Sequence, residues 1–310
     1  MTLAVLCSGQ GSAHAAMFEL SAQADAALPV FEAAGTLLGG DPRQWVRAVS
    51  PDQLYANQTA QLLCCTQALA AWAALDLGAG WCSEEIIVAG YSIGELAAWG
   101  CAGVFTVDEV LRLALERARA MEQAAGADTG LAAIRGVSRP ALQSLCSAFE
   151  CEIAIIVASD SFIVGGCCAQ LQPLCRQALQ SGAVRATMLP IAIASHTSRL
   201  RSASEGFRIR LRAASRAASV SPGVRLLSGV DADLVADLEL GLDKLARQIS
   251  QTLDWSACLT ACQEAGATRV LELGPGKALA SMARAAIPQA RCRSLEDFKT
   301  LDGARAWLTA

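Results

Sequence analysis

The stretch that decides the fold covers residues 86–99, with the sequence Ile86-Ile87-Val88-Ala89-Gly90-Tyr91-Ser92-Ile93-Gly94-Glu95-Leu96-Ala97-Ala98-Trp99. Its first part predicts a strand, its last part predicts the start of a helix, and the pattern Gly-x-Ser-x-Gly lies between them. The glycines permit a sharp turn that holds the serine strained and exposed at the head of the helix. Positive partial charge at that helix end favours an alkoxide or an oxyanion. The context predicts a nucleophile elbow with Ser92 as the nucleophile; the alternative is a tight turn without chemistry.

A serine becomes a useful nucleophile only when a base accepts its proton. The chain has two histidines, His14 and His196. His196 lies in the tripeptide Ala-Ser-His, and His14 lies a few residues beyond the first predicted strand, where it can approach the same strand ends. We favour His196 as the base and keep His14 as the alternative.

Short apolar segments alternate with segments of helical spacing along the chain. Strands are predicted at Leu3–Cys7, Ile86–Ala89 and Val270–Leu273, and helices at Leu62–Leu77 and Val107–Met121. This alternation is typical of a mostly parallel sheet that is covered by helices. We therefore expect an α/β fold whose large domain is α/β-hydrolase-like.

Residues 129–189 have a different pattern of predicted elements, in the order β-α-β-β-α-β. The predicted elements are strands at Leu131–Ile134, Ile153–Val157, Phe162–Gly165 and Ala183–Leu189, with helices after Ser138 and over Leu171–Leu179. That order is the ferredoxin-like motif. It predicts a small ferredoxin-like α+β subdomain at 129–189, inserted into a large domain formed by 1–128 and 190–310, with a cleft between the two.

The composition limits the function classes. The chain has 310 residues, a net charge of −4 and a pI near 5.3, which argues against nucleic acid as a general partner. No apolar run approaches the roughly 18 residues that span a membrane, and we expect neither a membrane segment nor a signal peptide. The 13 cysteines include no Cys-x-x-Cys and none at zinc spacing to a histidine. We therefore expect no metal, no disulfide framework and a cytoplasmic location.

The first predicted strand is followed by a glycine-rich loop, Gly9-Gln10-Gly11-Ser12. The loop has the first two glycines of a dinucleotide-binding fingerprint, but His14 replaces the third, so a nucleotide cofactor is not expected. Loops at the carboxyl ends of strands line the active crevice of an open α/β sheet. The backbone N–H of Gln10 is therefore a candidate oxyanion donor, together with that of Ile93; the alternative is a simple strand-to-helix turn.

Arg117 occupies an unexpected place in the helix predicted from Val107. It falls in the middle of an apolar face made by Val110, Leu113, Ala114, Ala118 and Met121. An inward guanidinium needs an anionic partner, because an unpaired buried charge is costly. The partner is either an internal salt bridge or a substrate carboxylate held by a bidentate clamp.

A basic stretch follows His196. Its members, opposed by Glu205, are Arg199, Arg201, Arg208, Arg210, Arg212 and Arg216. Such a run is usually a solvated face. In an acidic chain it is also a candidate docking surface for an acidic carrier protein or for the phosphates of a coenzyme.

Together, these residues resemble the malonyl-CoA:acyl carrier protein transacylase family over nearly the whole length of the chain. The resemblance is carried by Gly9–Ser12, by Gly90–Glu95, by Arg117 in an Arg-x-x-x-Met helix, by Ala194–His196 and by Leu273–Lys277. One departure is Tyr91, because the family usually has histidine before the nucleophile. Such departures concern substrate preference more than the reaction.

The resemblance implies a set of site residues. Ser92 is the nucleophile, His196 is the base, and the Gln10 backbone contributes to the oxyanion hole. Arg117 binds the free carboxylate of a malonyl group. In the family a main-chain carbonyl usually orients the histidine, and the matching position is Asp254, just before a tryptophan, acting through its backbone or its side chain.

The implied activity moves a malonyl or related dicarboxylic acyl group from coenzyme A to a phosphopantetheinylated acyl carrier protein through an acyl-serine. The expected acyl donor is malonyl-CoA. It needs neither metal nor cofactor, and the expected state is a monomer. Alternatives within the family are the malonyl-transfer subunit of a malonate decarboxylase and a methylmalonyl-specific acyltransferase. A serine thioesterase and a non-enzymatic scaffold that binds carrier protein are alternatives from other classes.

Overall fold

The computed structural model describes residues 2–78 and 85–310. Within these residues the chain forms ten strands: β1 (Thr2–Cys7), β2 (Ile86–Gly90), β3 (Thr129–Arg135), β4 (Glu152–Ala158), β5 (Ser161–Cys167), β6 (Arg185–Met188), β7 (Val224–Leu226), β8 (Leu253–Asp254), β9 (Ala267–Glu272) and β10 (Arg291–Ser294). The same residues form thirteen α-helices: α1 (Leu28–Leu38), α2 (Pro42–Ala48), α3 (Pro51–Tyr55), α4 (Asn57–Ala74), α5 (Ile93–Cys101), α6 (Val107–Ala124), α7 (Arg139–Ala148), α8 (Cys168–Gln180), α9 (Arg201–Ala213), α10 (Leu238–Arg247), α11 (Trp255–Glu264), α12 (Ala278–Ala286) and α13 (Leu301–Thr309).

Five strands form a parallel sheet in the order β10-β9-β1-β2-β7. After Thr2, β1 and its neighbour β2 consist of apolar and small residues, which is typical of parallel strands that are buried on both faces of a sheet. On β1, one core receives Leu3, Val5 and Cys7, and the other receives Ala4 and Leu6. The mostly parallel sheet predicted from the sequence is confirmed.

A second sheet has the order β6-β3-β5-β4-β8. Its first four strands pair antiparallel, and α7 and α8 pack against them over a separate core that includes Leu142, Phe162 and Leu171. In chain order these elements run β3-α7-β4-β5-α8-β6, which is the ferredoxin-like order predicted from the sequence. The short strand β8, from the C-terminal part of the chain, pairs parallel with β4. The subdomain limits at 129 and 189 stay a prediction.

The site lies where the carboxyl ends of β1 and β2 meet, with Cys7 opposite Gly90. There α5 begins, and it crosses so close to β1 that Gly94 has no room for a side chain. A Cβ on Gly94 would lie 2.1 Å from the carbonyl oxygen of Cys7 and 2.7 Å from that of Ser8. The second glycine of the elbow is therefore required by the packing of α5 on β1.

The replacement Gly94→Ala is expected to lower the free energy of unfolding by about 1–3 kcal/mol or more, because the clashing atoms belong to the backbone and cannot rotate away. Gly206→Ala is the matched control, since a Cβ at this position in α9 has nothing within 4 Å. Alanine in a helix interior is expected to stabilise by about 0.5–1 kcal/mol. Urea denaturation of both variants measures the difference, and a Gly94→Ala variant as stable as the parent contradicts the packing argument.

Candidate active site

Ser92 lies between the end of β2 and the first residue of α5, with φ +57° and ψ −119°. Residues with a side chain rarely adopt this conformation, and it persists only where the surroundings enforce it. The surroundings here are tight, since a Cβ on Gly90 would lie 2.1 Å from the amide nitrogen of Glu95. The result is a half-buried serine at the positive end of a helix.

His196 reaches Ser92 from the segment between β6 and α9. Its Nε2 lies 2.8 Å from Oγ of Ser92, and its Nδ1 lies 2.5 Å from the carbonyl oxygen of Gln248. A carbonyl only accepts hydrogen bonds, so Nδ1 carries the ring proton. Nε2 is then the acceptor for the serine hydroxyl, which is the arrangement of a nucleophile and its base.

The electrostatic surroundings keep this ring neutral. His196 is 1% exposed. Burial lowers the pKa of His196 to about 3, the nearby cation of Arg117 lowers it further in the same direction, and the hydrogen bond to Gln248 opposes both. The ring is therefore ready to accept a proton at any pH near neutrality.

Arg117 lies on the inward face of α6, where the sequence predicts it, and it is 1% exposed. Its Nη1 donates to Oε1 of Gln61 at 2.7 Å. Its Nη2 has two longer contacts, each of 3.4 Å, to Oγ of Ser92 and to Oε1 of Gln248. Its Nε has no hydrogen-bond partner among the described residues.

No internal salt bridge compensates this cation among the residues that the structure describes. The hydrogen-bond partners of Arg117 are neutral oxygens, and although burial lowers its pKa to about 10, the group stays charged. The guanidinium edge formed by Nε and Nη2 lies beside the Ser92 hydroxyl. On this edge Nη2 makes only the two long contacts, and Nε donates to no described residue. Such an edge matches the two oxygens of a carboxylate.

Gln248, which follows the end of α10, is the site residue that the sequence did not reveal. Besides its carbonyl contact with His196, its Nε2 donates to the carbonyl oxygen of Ser92 at 3.0 Å and to Oε2 of Glu95 at 3.0 Å. Together with the contact to Arg117, one buried side chain thus links the nucleophile, the cation and a buried carboxyl group. Its main-chain oxygen has no residue-type signature, so only an alignment to the family's histidine-orienting position could have found it.

The prediction that Asp254 orients the histidine is wrong. The carboxylate of Asp254 accepts the backbone N–H of Ala257 at 2.9 Å and caps α11, and its own N–H donates to Gly229. An aspartate in this position satisfies the free N–H groups at a helix start. The group that holds Nδ1 of His196 is the carbonyl of Gln248.

The His14 ring is hydrogen-bonded to a carboxylate and not to the serine. Its Nε2 lies 2.9 Å from Oε1 of Glu296, which also accepts the N–H of Gly276. The structure therefore brings His196, and not His14, to Ser92.

The glycine-rich loop lies directly against the elbow. A Cβ on Gly9 would lie 2.9 Å from both the carbonyl oxygen and Cδ1 of Tyr91. This close approach places the next residue, Gln10, beside the nucleophile turn. Ile93 is the first residue of α5, and its N–H has no acceptor within the helix. The assignment of these two N–H groups to an oxyanion hole stays a prediction.

Tyr91 replaces the histidine that the resemblance leads one to expect before the nucleophile. Its ring packs edge-on against Trp255, with ring centres 5.4 Å apart and an interplanar angle of 78°. Burial raises the pKa of Tyr91, so the phenol stays neutral. Tyr91 therefore packs against Trp255, and we do not expect it to act as a base.

Two features are absent from residues 2–78 and 85–310. No group of three or more histidine, cysteine, aspartate or glutamate side chains is placed to hold a metal ion. No helix in this part of the chain is long and apolar enough to cross a membrane.

The curated relatives and solved structures that are similar to this chain have names of one kind, malonyl transacylase or malonyltransferase. No family model matches the chain. The malonyl CoA-acyl carrier protein transacylase of Mycobacterium tuberculosis is 27% identical over 301 residues, which are 97% of this chain and 98% of the relative. The acyl-carrier-protein S-malonyltransferase of Burkholderia pseudomallei superposes with a TM-score of 0.90 at 28% identity, over 99% of this chain and all of that one. A malonyl-transacylase solved with a type II polyketide synthase acyl carrier protein shares the fold, with a TM-score of 0.90 at 20% identity over 99% of each chain.

Replacing each histidine in turn separates the two candidates for the base. His196→Ala is expected to slow the reaction of Ser92 with an activated acyl ester by about 10²–10⁴-fold, because general base catalysis has this size. His14→Ala is the matched control and is expected to react at nearly the parental rate. The burst of nitrophenol from a nitrophenyl ester measures the step. A larger loss in His14→Ala contradicts the assignment.

Proposed function

We propose that the chain is a member of the malonyl CoA-acyl carrier protein transacylase family and that it moves a malonyl group from coenzyme A to an acyl carrier protein through an acyl-serine. The observation that carries the proposal is the buried cation of Arg117 beside Ser92. Its Nε and the weakly bonded Nη2 offer two donors where the distal carboxylate of a malonyl thioester would lie. A neutral acyl chain leaves these donors unpaired.

In the first half-reaction, Oγ of Ser92 attacks the thioester carbonyl carbon while Nε2 of His196 takes the hydroxyl proton. The N–H groups of Ile93 and Gln10 would receive the negative charge that develops on the carbonyl oxygen. The carbon–sulfur bond then breaks, and the imidazolium returns its proton to the coenzyme A thiolate. The malonyl group is now an ester of Ser92, with its free carboxylate on Arg117.

In the second half-reaction, the pantetheine thiol of the carrier protein gives its proton to Nε2 of His196 and attacks the ester carbonyl. The ester bond breaks, and His196 protonates the departing oxygen of Ser92. The products are malonyl-carrier thioester and free enzyme. The same serine, base and cation serve both directions of this exchange.

We also propose a cytoplasmic location and a monomeric state. The location is supported by the twelve cysteines within the described residues, which are all free thiols, ten of them buried. Cys82 lies outside the described residues. Free thiols in this number are typical of a reducing compartment.

The proposal is tested by intact-protein mass spectrometry after mixing the enzyme with malonyl-CoA, methylmalonyl-CoA or acetyl-CoA. The parent is expected to gain one malonyl group and to lose it when carrier protein is added, because the acyl-serine is an intermediate. Ser92→Ala is expected to gain none. Loss of the adduct to water at the same rate without carrier protein would identify a thioesterase instead.

The same assay tests the role of Arg117. Arg117→Gln is expected to lose about 2–5 kcal/mol of transition-state stabilisation for malonyl loading, because a charge-assisted contact in a desolvated site is removed. Acetyl loading never uses this contact and is not expected to fall. Arg119→Gln is the matched control on the exposed face of the same helix. Equal losses for both acyl groups, with a lower melting temperature, contradict the carboxylate role.

We propose a docking surface for the carrier protein that includes only part of the basic stretch. Arg212 pairs with Asp243 at 3.1 Å, and Arg216 pairs with Glu239. Two arginines of the stretch, Arg201 and Arg208, line a groove of about 440 Å³ between α9 and α10, and neither forms an ion pair with a residue that the structure describes. The other charged residues of the groove are Arg247, Glu205 and Asp243. Arg247 directly precedes the residue whose carbonyl holds the catalytic histidine.

Charge reversal of Arg201, Arg208 and Arg247 together is expected to raise the KM for an acidic carrier protein and to flatten its dependence on salt. Loading from malonyl-CoA is expected to change less. Arg291→Glu is the control, because this exposed arginine lies on the edge strand β10. Carrier kinetics that are unchanged at low salt would show that the groove is only a solvated surface.

A further inference from the structure

We propose that the substrate's carboxylate activates the general base, because it neutralises a cation that otherwise lies unpaired beside the serine–histidine pair. The inference rests on the proposed function and deepens it. Under this proposal, Arg117 sets the rate of the acylation step as well as binding the substrate. Acyl groups without a carboxylate would then be rejected during chemistry even after they bind.

The first step of the argument is that Arg117 and His196 converge on one atom. Oγ of Ser92 lies 2.8 Å from Nε2 of His196 and 3.4 Å from Nη2 of Arg117. During acylation the imidazole must take a proton and become a cation. A second cation held against the same oxygen opposes this change, and the opposition is strong where both groups are buried.

The second step is that no charged or titratable group within residues 2–78 and 85–310 forms an ion pair with this cation, although Glu95 and Cys65 lie near enough to act on its pKa. Glu95, on α5, is hydrogen-bonded to the Gln248 amide and to neither His196 nor Arg117. Burial raises the pKa of Glu95 to about 8, against the opposing effects of the Arg117 cation and of the hydrogen bonds from Gly229 and Gln248. Burial also raises the pKa of the Cys65 thiol on α4, which therefore stays neutral. Asp231 acts on Glu95 and raises its pKa further.

The third step is what a carboxylate would change. When it takes the Nε and Nη2 donors, the net charge beside His196 falls from +1 to zero. It also replaces Ser92 as the acceptor for Nη2, which leaves the serine hydroxyl to His196 alone. The imidazole becomes a stronger base, and a stronger base accelerates proton removal from the serine. An acetyl group would leave the cation and its contact with Ser92 in place.

The decisive experiment measures the rate of acylation by acetyl-CoA in single-turnover rapid quench, with three enzymes. In Arg117→Gln the cation is gone, and acetyl acylation is expected to become about threefold faster or more than in the parent, in absolute rate. In Arg117→Lys the charge is kept, and no acceleration is expected. Acceleration in both variants would show that the smaller side chain, and not the loss of charge, causes the effect, and it would overturn the inference.

A second arm supplies the missing carboxylate in trans, because acetyl-CoA plus formate approximates the two halves of a malonyl group. Formate is expected to accelerate acetyl acylation of the parent in a saturable way and to have no effect on Arg117→Gln. Its binding is measured separately, as competitive inhibition of malonyl loading. Formate that inhibits malonyl loading without accelerating acetyl acylation overturns the inference.

The outcomes also separate this inference from the proposed function. If Arg117→Gln loses malonyl loading while its acetyl acylation is unchanged or slower, the carboxylate site stands and the activation of the base is wrong. A slower acetyl reaction would show that the guanidinium assists the serine alkoxide directly. If malonyl loading is the same in Arg117→Gln and the parent, the carboxylate site itself is wrong.

Discussion

The site depends on one buried cation, Arg117, that forms no ion pair with the part of the chain that the structure describes. A guanidinium removed from water is costly unless its donors are satisfied and its charge is paired. In this chain three neutral oxygens accept hydrogen bonds from the guanidinium, while Nε has no partner within residues 2–78 and 85–310. The apolar face of α6 fixes Arg117 in this position, since Val110, Leu113 and Ala114 are buried around the same turns. The unsatisfied remainder is what a dicarboxylic acyl group would complete.

Gln248 makes this arrangement rigid. Its main chain holds the tautomer of His196, and its side chain bonds to the nucleophile turn and to Glu95. These partners come from separate segments of the chain, so one fully buried residue fixes their mutual geometry. Catalytic groups need such support, because a displacement of about 1 Å can cost two orders of magnitude in rate.

The parts of the site that the sequence predicted are the local ones. The elbow at Ser92 and the inward direction of Arg117 follow from turn chemistry and helix period, which are fixed within a few residues. The choice between His14 and His196 needed the tertiary structure, because it depends on which strand ends meet. Gln248 acts through a carbonyl oxygen, which every residue has, and Asp254 turned out to cap a helix. The ion pairs that remove Arg212 and Arg216 from the basic surface are also long-range contacts.

The two proposed roles of arginine in this protein would use positive charge in physically different ways. The arginines of the groove between α9 and α10 are exposed, so their attraction to an acidic carrier is screened by salt and acts mainly on the rate of encounter. Arg117 lies in a site of low polarity, where screening is weak and a single carboxylate changes the local charge completely. An acidic chain with a net charge of −4 could therefore attract an acidic partner through the arginines of the groove. It could also bind one substrate carboxylate at the buried Arg117. The two selections are independent because one is made before contact and the other at the reacting atoms.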